Sequence, residues 1–111
     1  MDEHYFQEDV FKILKILSTS QDLTQRDLSE YLNISLGKTN YLLKALTQRG
    51  LVKIKNFTSR KGKLNKLRYI LTKNGFEKKI TLARYFLEKK EKEYFELKKE
   101  LELLNSGVVN V

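Results

Sequence analysis

The chain has 111 residues, 41% hydrophobic and 32% charged, enough for one small domain with an appendage but not for two independent cores. It has no cysteine, which excludes disulfides, thiolate metal sites and cysteine nucleophiles, and its single histidine, His4 near the N-terminus, reads as a solvated side chain rather than a catalyst or ligand. Its formal net charge of +8 points toward an acidic partner.

The opening Met1-Asp2-Glu3-His4-Tyr5 is acidic and leads into an amphipathic segment, so it does not read as a signal peptide, and no apolar run approaches membrane-spanning length. The expectation is a cytoplasmic protein with no membrane partner. Phe6, Val10, Phe11, Ile13, Leu14 and Leu17 recur at helical spacing, with Lys12 and Lys15 opposite. They predict a first amphipathic helix ending near Ser18-Thr19-Ser20. Leu23-Thr24-Gln25-Arg26-Asp27-Leu28 reads as the start of a second helix. Thr24 is placed to cap it, and Asp27 three residues on resembles a capping box with a shorter acid. Leu28, Tyr31 and Leu32 carry this short helix, and Asn33 closes it.

Ser35 is the expected N-cap of a third helix. Thr39, Leu42, Leu43 and Leu46 form its inward stripe, and Gly50, just past Arg49, fits a left-handed terminating residue. The first turn contains Gly37-Lys38-Thr39, the residues that close a nucleotide-binding P-loop. That motif needs a further glycine five positions earlier, so that backbone N–H groups can curl around the phosphates. Position 32 is Leu, and Asn33, Ile34, Ser35 and Leu36 make a glycine-free approach. No phosphate cradle can form there.

Residues 51–55, Leu-Val-Lys-Ile-Lys, alternate as a strand with one buried and one basic face. Residues 67–71, Leu-Arg-Tyr-Ile-Leu, are the expected partner, and the basic segment Phe57-Thr58-Ser59-Arg60-Lys61-Gly62-Lys63 lies between them. The result is a β-hairpin with a long loop. From Phe76 a single helix is predicted to run to about Leu104. Phe76, Ile80, Ala83, Leu87, Lys90, Tyr94, Leu97, Leu101 and Leu104 follow alternating steps of four and three, a heptad seam with one polar member. A core this small offers that helix few partners, so its stripe is expected to pack against a second copy, the alternative being a helix folded back on its own domain. The predicted organisation is a domain over residues 1–75, a coiled-coil-like dimerisation helix over 76–104 and a flexible tail over 105–111.

The charge is unevenly placed. Between residues 31 and 76 there is no Asp or Glu, while Lys38, Lys44, Arg49, Lys53, Lys55, Arg60, Lys61, Lys63, Lys66, Arg68 and Lys73 supply eleven positive charges. The other 11 bases stand against all 14 acids, so the flanks carry a net −3. A +11 block between slightly acidic flanks is the electrostatic footprint of a polyanion-binding surface. Helix, helix, helix, strand, basic loop, strand, helix is the order of a winged helix-turn-helix, mainly α with a small β-hairpin. In that architecture the third helix enters a major groove and the loop reaches the neighbouring backbone or minor groove.

Leu23-Thr24-Gln25-Arg26-Asp27-Leu28-Ser29-Glu30-Tyr31-Leu32-Asn33-Ile34-Ser35, followed by Leu43-x-x-Leu46-x-x-x-Gly50-Leu51-Val52, resembles the helix-turn-helix of MarR-type transcriptional regulators. Leu71-Thr72-x-x-Gly75 resembles the junction where their wing passes into the next helix. Residues 34–46 and 50–57 are most similar to the small exopolysaccharide-associated branch. The resemblance spans roughly residues 10–97. It implies a homodimeric regulator on double-stranded DNA, with exopolysaccharide genes among its targets. In two respects the chain departs from the family. Lys63-Leu64-Asn65-Lys66 stands where the wing tip usually carries Asp-x-Arg, so wing contacts should be basic and less geometrically defined. The short chain also argues against a pocket for a small-molecule effector, and no cofactor is implied.

With the inward stripe assigned, the DNA-facing set on the third helix is Ser35, Leu36, Gly37, Lys38, Asn40, Tyr41 and Lys44. Asn40 can pair with an adenine edge, Lys38 or Lys44 with guanine or phosphate, and Tyr41 with a phosphate or a thymine methyl. Gly37 lets backbone approach a phosphate, and Ser35 caps. Arg60, Lys61 and Lys63 are the wing set, for phosphate or minor-groove contacts. Ile80, Ala83, Leu87, Tyr94, Leu97, Leu101 and Leu104 are the dimerisation set. Two rivals stay open: a winged-helix protein-interaction module tethered by its last helix, and an RNA binder, which would display sheet aromatics such as Tyr69 and Phe57. An enzyme would lack the side chains for its chemistry.

Overall fold

The computed structural model describes residues 3–20, 22–55 and 67–107, with side chains from residue 7 onward. Its elements are α1 (Glu3–Thr19), β1 (Leu23–Thr24), α2 (Gln25–Leu32), α3 (Leu36–Gln48), β2 (Val52–Lys55), β3 (Arg68–Leu71) and α4 (Lys73–Asn105). The chain divides into two units, Met1–Ile80 and Thr81–Val111. The first unit is a winged helix-turn-helix.

Its core is built from the stripes the sequence marks. Val10, Ile13, Leu14 and Leu17 of α1, Leu28 of α2, Leu42, Leu43 and Leu46 of α3, Val52 of β2 and Tyr69 of β3 are all buried. Removing each aliphatic side chain from water stabilises the fold by about 1.5–3 kcal/mol. Thr39 is fully buried among them. Its hydroxyl donates to the Ser35 carbonyl at 2.8 Å, so the polar group is carried inward without loss.

The helix ends follow local chemistry. Thr24 Oγ1 accepts from the Asp27 N–H at 3.1 Å while Asp27 Oδ2 accepts from the Thr24 N–H at 3.0 Å, a complete capping box on α2. Asn33 ends α2 in the left-handed region at φ 56°, which turns the chain toward α3 within three residues. Ser35 Oγ accepts from the Lys38 N–H at 3.1 Å and caps α3. Gly50, at φ +73°, takes the left-handed position after the Arg49 C-cap.

The sheet differs from expectation in two ways. Among the described residues it has three strands rather than a hairpin alone, in the order β1-β3-β2, with Leu23 opposite Tyr69 and Thr24 opposite Arg68. A two-residue strand leaves no periodicity to read, and Thr24 serves both as strand partner and as helix cap. The β2–β3 pairing sets Val52 opposite Leu71 and Ile54 opposite Tyr69. Of the apolar face expected on β2, Val52 is buried but Ile54 is 43% exposed. Ile54 borders a shallow hollow with Leu43, Lys44 and Thr47 of α3, which leaves its side chain partly open.

Thr72 joins wing and last helix. Its hydroxyl donates to the Gly50 carbonyl at 2.6 Å and accepts from the Gly75 N–H at 3.0 Å, and its own N–H donates to the Leu51 carbonyl at 3.1 Å. One residue, through its hydroxyl and its backbone N–H, thus ties the chain between α3 and β2 to the first turn of α4. In the second unit α4 continues unbroken to Asn105. Along α4, Leu82 and Phe86 are buried, whereas Leu87, Tyr94, Phe95, Leu97, Leu101, Leu103 and Leu104 are exposed.

Candidate nucleic-acid interface

The turn between α2 and α3 is rigidly built. Gln25 Nε2 donates to the Leu36 carbonyl at 3.0 Å, bracing the start of α2 against the first turn of α3. The Ile34 N–H bonds the Ser29 carbonyl at 3.1 Å. With Thr39, Leu42, Leu43 and Leu46 locked inward, the opposite face of α3 has to point away from the core. Ser35, Leu36, Gly37, Tyr41 and Lys44 are exposed, and Asn40 and Lys38 are half-buried. Tyr41 is 60% exposed, so any packing of its ring leaves most of it open to an incoming surface.

Of the seven recognition-helix residues singled out by sequence, six line one open face. Lys38 is placed differently. Its ammonium pairs with Asp9 Oδ2 of α1 at 2.8 Å. Sequence reasoning had no signal for this partner, because an ion pair spanning twenty-nine positions leaves no local pattern. Gln25 was missed for a similar reason: its role is a bond to backbone eleven residues away.

Gly37 has open space around its Cα, with nothing within 4 Å of an added Cβ, and its backbone is not in the left-handed region. The fold does not require glycine there. Gly37→Ala should therefore raise stability by about 0.5–1 kcal/mol, the usual gain when glycine leaves a helix. The same methyl would stand between the α3 backbone and an approaching phosphate. Chemical unfolding and DNA titration of this one variant should move in opposite directions; loss of stability would contradict the geometry.

Behind α3, Tyr69 forms the floor of two shallow hollows, one bounded by Thr24, Gln25 and Leu36 and the other by Leu43, Lys44, Thr47 and Ile54. Burial pushes the Tyr69 phenol above its ordinary pKa, so it stays neutral. At 5% exposure it cannot serve as a stacking platform, and Phe57, the other aromatic an RNA binder would display, lies outside the described residues.

On the wing strands, Lys53 and Lys55 are exposed. Arg68 is used structurally: its guanidinium donates to the Asp22 carbonyl at 2.9 Å. The Asp22 carboxylate lies 4.0 Å from Lys55, so the fold brings one acid to the base of the wing. Arg60, Lys61 and Lys63 lie outside the described residues. Of the dimerisation set, Leu87, Tyr94, Leu97, Leu101 and Leu104 are each at least half exposed, Ile80 is 40% exposed and Ala83 is half-buried. Among the described residues no cluster of His, Cys, Asp or Glu could hold a metal ion, and no helix is long and apolar enough to cross a membrane.

Residues 10–53 match the family of winged helix-turn-helix DNA-binding domains, and these are the residues that build α1 to β2 and the exposed face of α3. The first unit has the fold of that class, and the chain shares it with solved regulators of the MarR family and with a PadR-like regulator. It is similar to the adhesin competence repressor AdcR of Streptococcus pyogenes at 23% identity, over 90% of this chain and 75% of that one, with a TM-score of 0.61. It is similar to S. aureus MepR in its DNA complex at 20% identity, over 91% and 79%, with a TM-score of 0.59. A PadR-like transcriptional regulator from Bacillus cereus aligns at 21% identity, over 79% and 89%, with a TM-score of 0.69. No curated protein matches the chain in sequence.

Proposed function

We propose that this protein is a sequence-specific, double-stranded-DNA-binding transcriptional regulator that acts as a homodimer on a pseudo-palindromic operator. The observation that carries the reading is the open outer face of α3. It presents Asn40, Tyr41 and Lys44 together, has no acid of its own and lies within a +11 stretch of chain. Asn40 is the base reader, matched to an adenine edge, and Lys44 is matched to guanine or to phosphate. The N–H groups at Ser35, Leu36 and Gly37 meet a phosphate, and Arg60, Lys61 and Lys63 supply sequence-independent contacts from the wing. S. aureus MepR, which shares the fold, has been solved with DNA. The likeness of residues 34–46 and 50–57 to the exopolysaccharide-associated branch suggests genes of that kind as targets. A winged helix devoted to protein docking has no use for so concentrated a positive block.

Binding titrations on an operator selected from a random pool, and on a scrambled duplex, test this reading. Asn40→Ala should cost roughly 1–3 kcal/mol on the operator and almost nothing on the scrambled duplex. Equal losses on both would remove Asn40 as a base reader. A selected pool without two-fold symmetry would remove the palindromic dimer.

A further inference from the structure

Lys38 looks like a DNA contact from the sequence, yet the fold gives it another partner. Its Nζ lies 2.8 Å from Asp9 Oδ2, with side-chain exposures of 33% for Lys38 and 14% for Asp9. The acid comes from α1, while the cation sits in the first turn of α3 beside the N–H groups exposed around Gly37. Building on the DNA-binding reading, we infer that Asp9 withholds Lys38 from the DNA backbone and so acts as a specificity-determining residue outside the interface.

Two physical terms decide where Lys38 goes. On DNA it would release the counterions of one phosphate, a gain every sequence offers equally and that salt erodes. Leaving Asp9 would strand a carboxylate that is six-sevenths covered by protein, a penalty that salt hardly screens. The second term keeps Lys38 in place. The pair then braces α1 against the α3 first turn, and base reading falls to Asn40 and Lys44. Non-specific affinity is lowered by one phosphate contact while operator contacts are untouched, so discrimination rises.

The test is the slope of log Kobs against log salt concentration on a random duplex. Lys38→Ala should leave the slope of the unmodified protein unchanged. Asp9→Asn frees the lysine and should steepen the slope by about 0.9, the value of one added phosphate contact, with a smaller ratio of operator to random affinity. Combining the two substitutions should restore the original slope. Should Lys38→Ala perturb folding, Lys38→Gln keeps a donor for Asp9 and is read in the same way. A slope made shallower by about 0.9 in Lys38→Ala would place Lys38 on phosphate already and overturn the inference. An unchanged slope in Asp9→Asn would overturn it equally. A urea-unfolding double-mutant cycle on positions 9 and 38 reads the pair without DNA, and zero coupling there overturns the pairing itself. Failure of the unmodified protein to bind any duplex at low salt is the distinct outcome that defeats the DNA-binding reading, and the inference falls with it.

Discussion

Gly75→Ala should lower the melting temperature by about 10 °C. A Cβ at position 75 would overlap the Leu51 carbonyl oxygen and come within 2.6 Å of Leu71 Cδ1. The oxygen it strikes is backbone and already accepts the Thr72 N–H at 3.1 Å, so it cannot step aside without breaking that bond. Overpacking of this kind costs about 1–3 kcal/mol, and disturbing the Thr72–Leu51 bond adds about 1 kcal/mol. Against this, alanine in a helix gains about 1 kcal/mol over glycine. The balance is a net loss of roughly 2 kcal/mol, which in a domain of this size shifts the midpoint by about 8–16 °C. Gly75→Val should be worse, and Thr72→Val should reproduce part of the loss by removing the hydroxyl that bonds Gly50 and Gly75. Circular dichroism melts of the three variants decide the matter. A melting point unchanged in Gly75→Ala would mean that α4 and β2 do not approach as closely as these contacts require.

Gly75 also shows where sequence reading reaches and where it stops. Thr72 and Gly75 stand out as a pattern at the wing–helix junction, but the reason for them lies in Gly50 and Leu51, more than twenty residues earlier. The features read most securely from sequence are local to one helix: the Thr24–Asp27 capping box, the Ser35 cap, the stop at Asn33, the left-handed Gly50, and the inward set of α3. Each depends on spacing alone, and spacing is what a sequence displays. What escaped was non-local. The β1 strand is too short to alternate, Ile54 alternates correctly but stays 43% exposed, and Asp9 meets Lys38 only because α1 crosses near the start of α3. The outward face of α3 was legible by subtraction, since a helix with a buried stripe must show its other side. Which residues on that face are already engaged was not. The triplet Gly37-Lys38-Thr39 condenses the lesson, with an open backbone, a cation held by a distant acid and a hydroxyl turned into the core.

The second large effect concerns α4. Leu97→Glu combined with Leu101→Glu should convert the protein to a monomer and weaken operator binding by about 10²–10⁴-fold, while leaving affinity for an isolated half-site nearly intact. Leu87, Tyr94, Leu97, Leu101 and Leu104 are between 50% and 60% exposed in the single chain, arranged in steps of seven, three, four and three along one side of a helix of 33 residues. Such a stripe left in water forgoes the main stabilisation that apolar side chains offer, and a heptad repeat is the spacing that two supercoiled helices bury jointly. Lys90, the polar member of the seam, would fix register at some cost in stability, so Lys90→Leu should tighten self-association. Two carboxylates introduced at adjacent seam positions would face their counterparts across the interface, uncompensated and partly desolvated. A dimer sets its two recognition helices about 34–36 Å apart, one DNA turn, and converts the second half-site contact into an intramolecular event. Loss of the dimer should therefore appear on the full operator and not on the half-site. Light scattering and titrations on both duplexes separate the cases. An unmodified protein that stays monomeric at tens of micromolar would leave the stripe without its partner, and equal losses on operator and half-site would move the damage from assembly to the reading head.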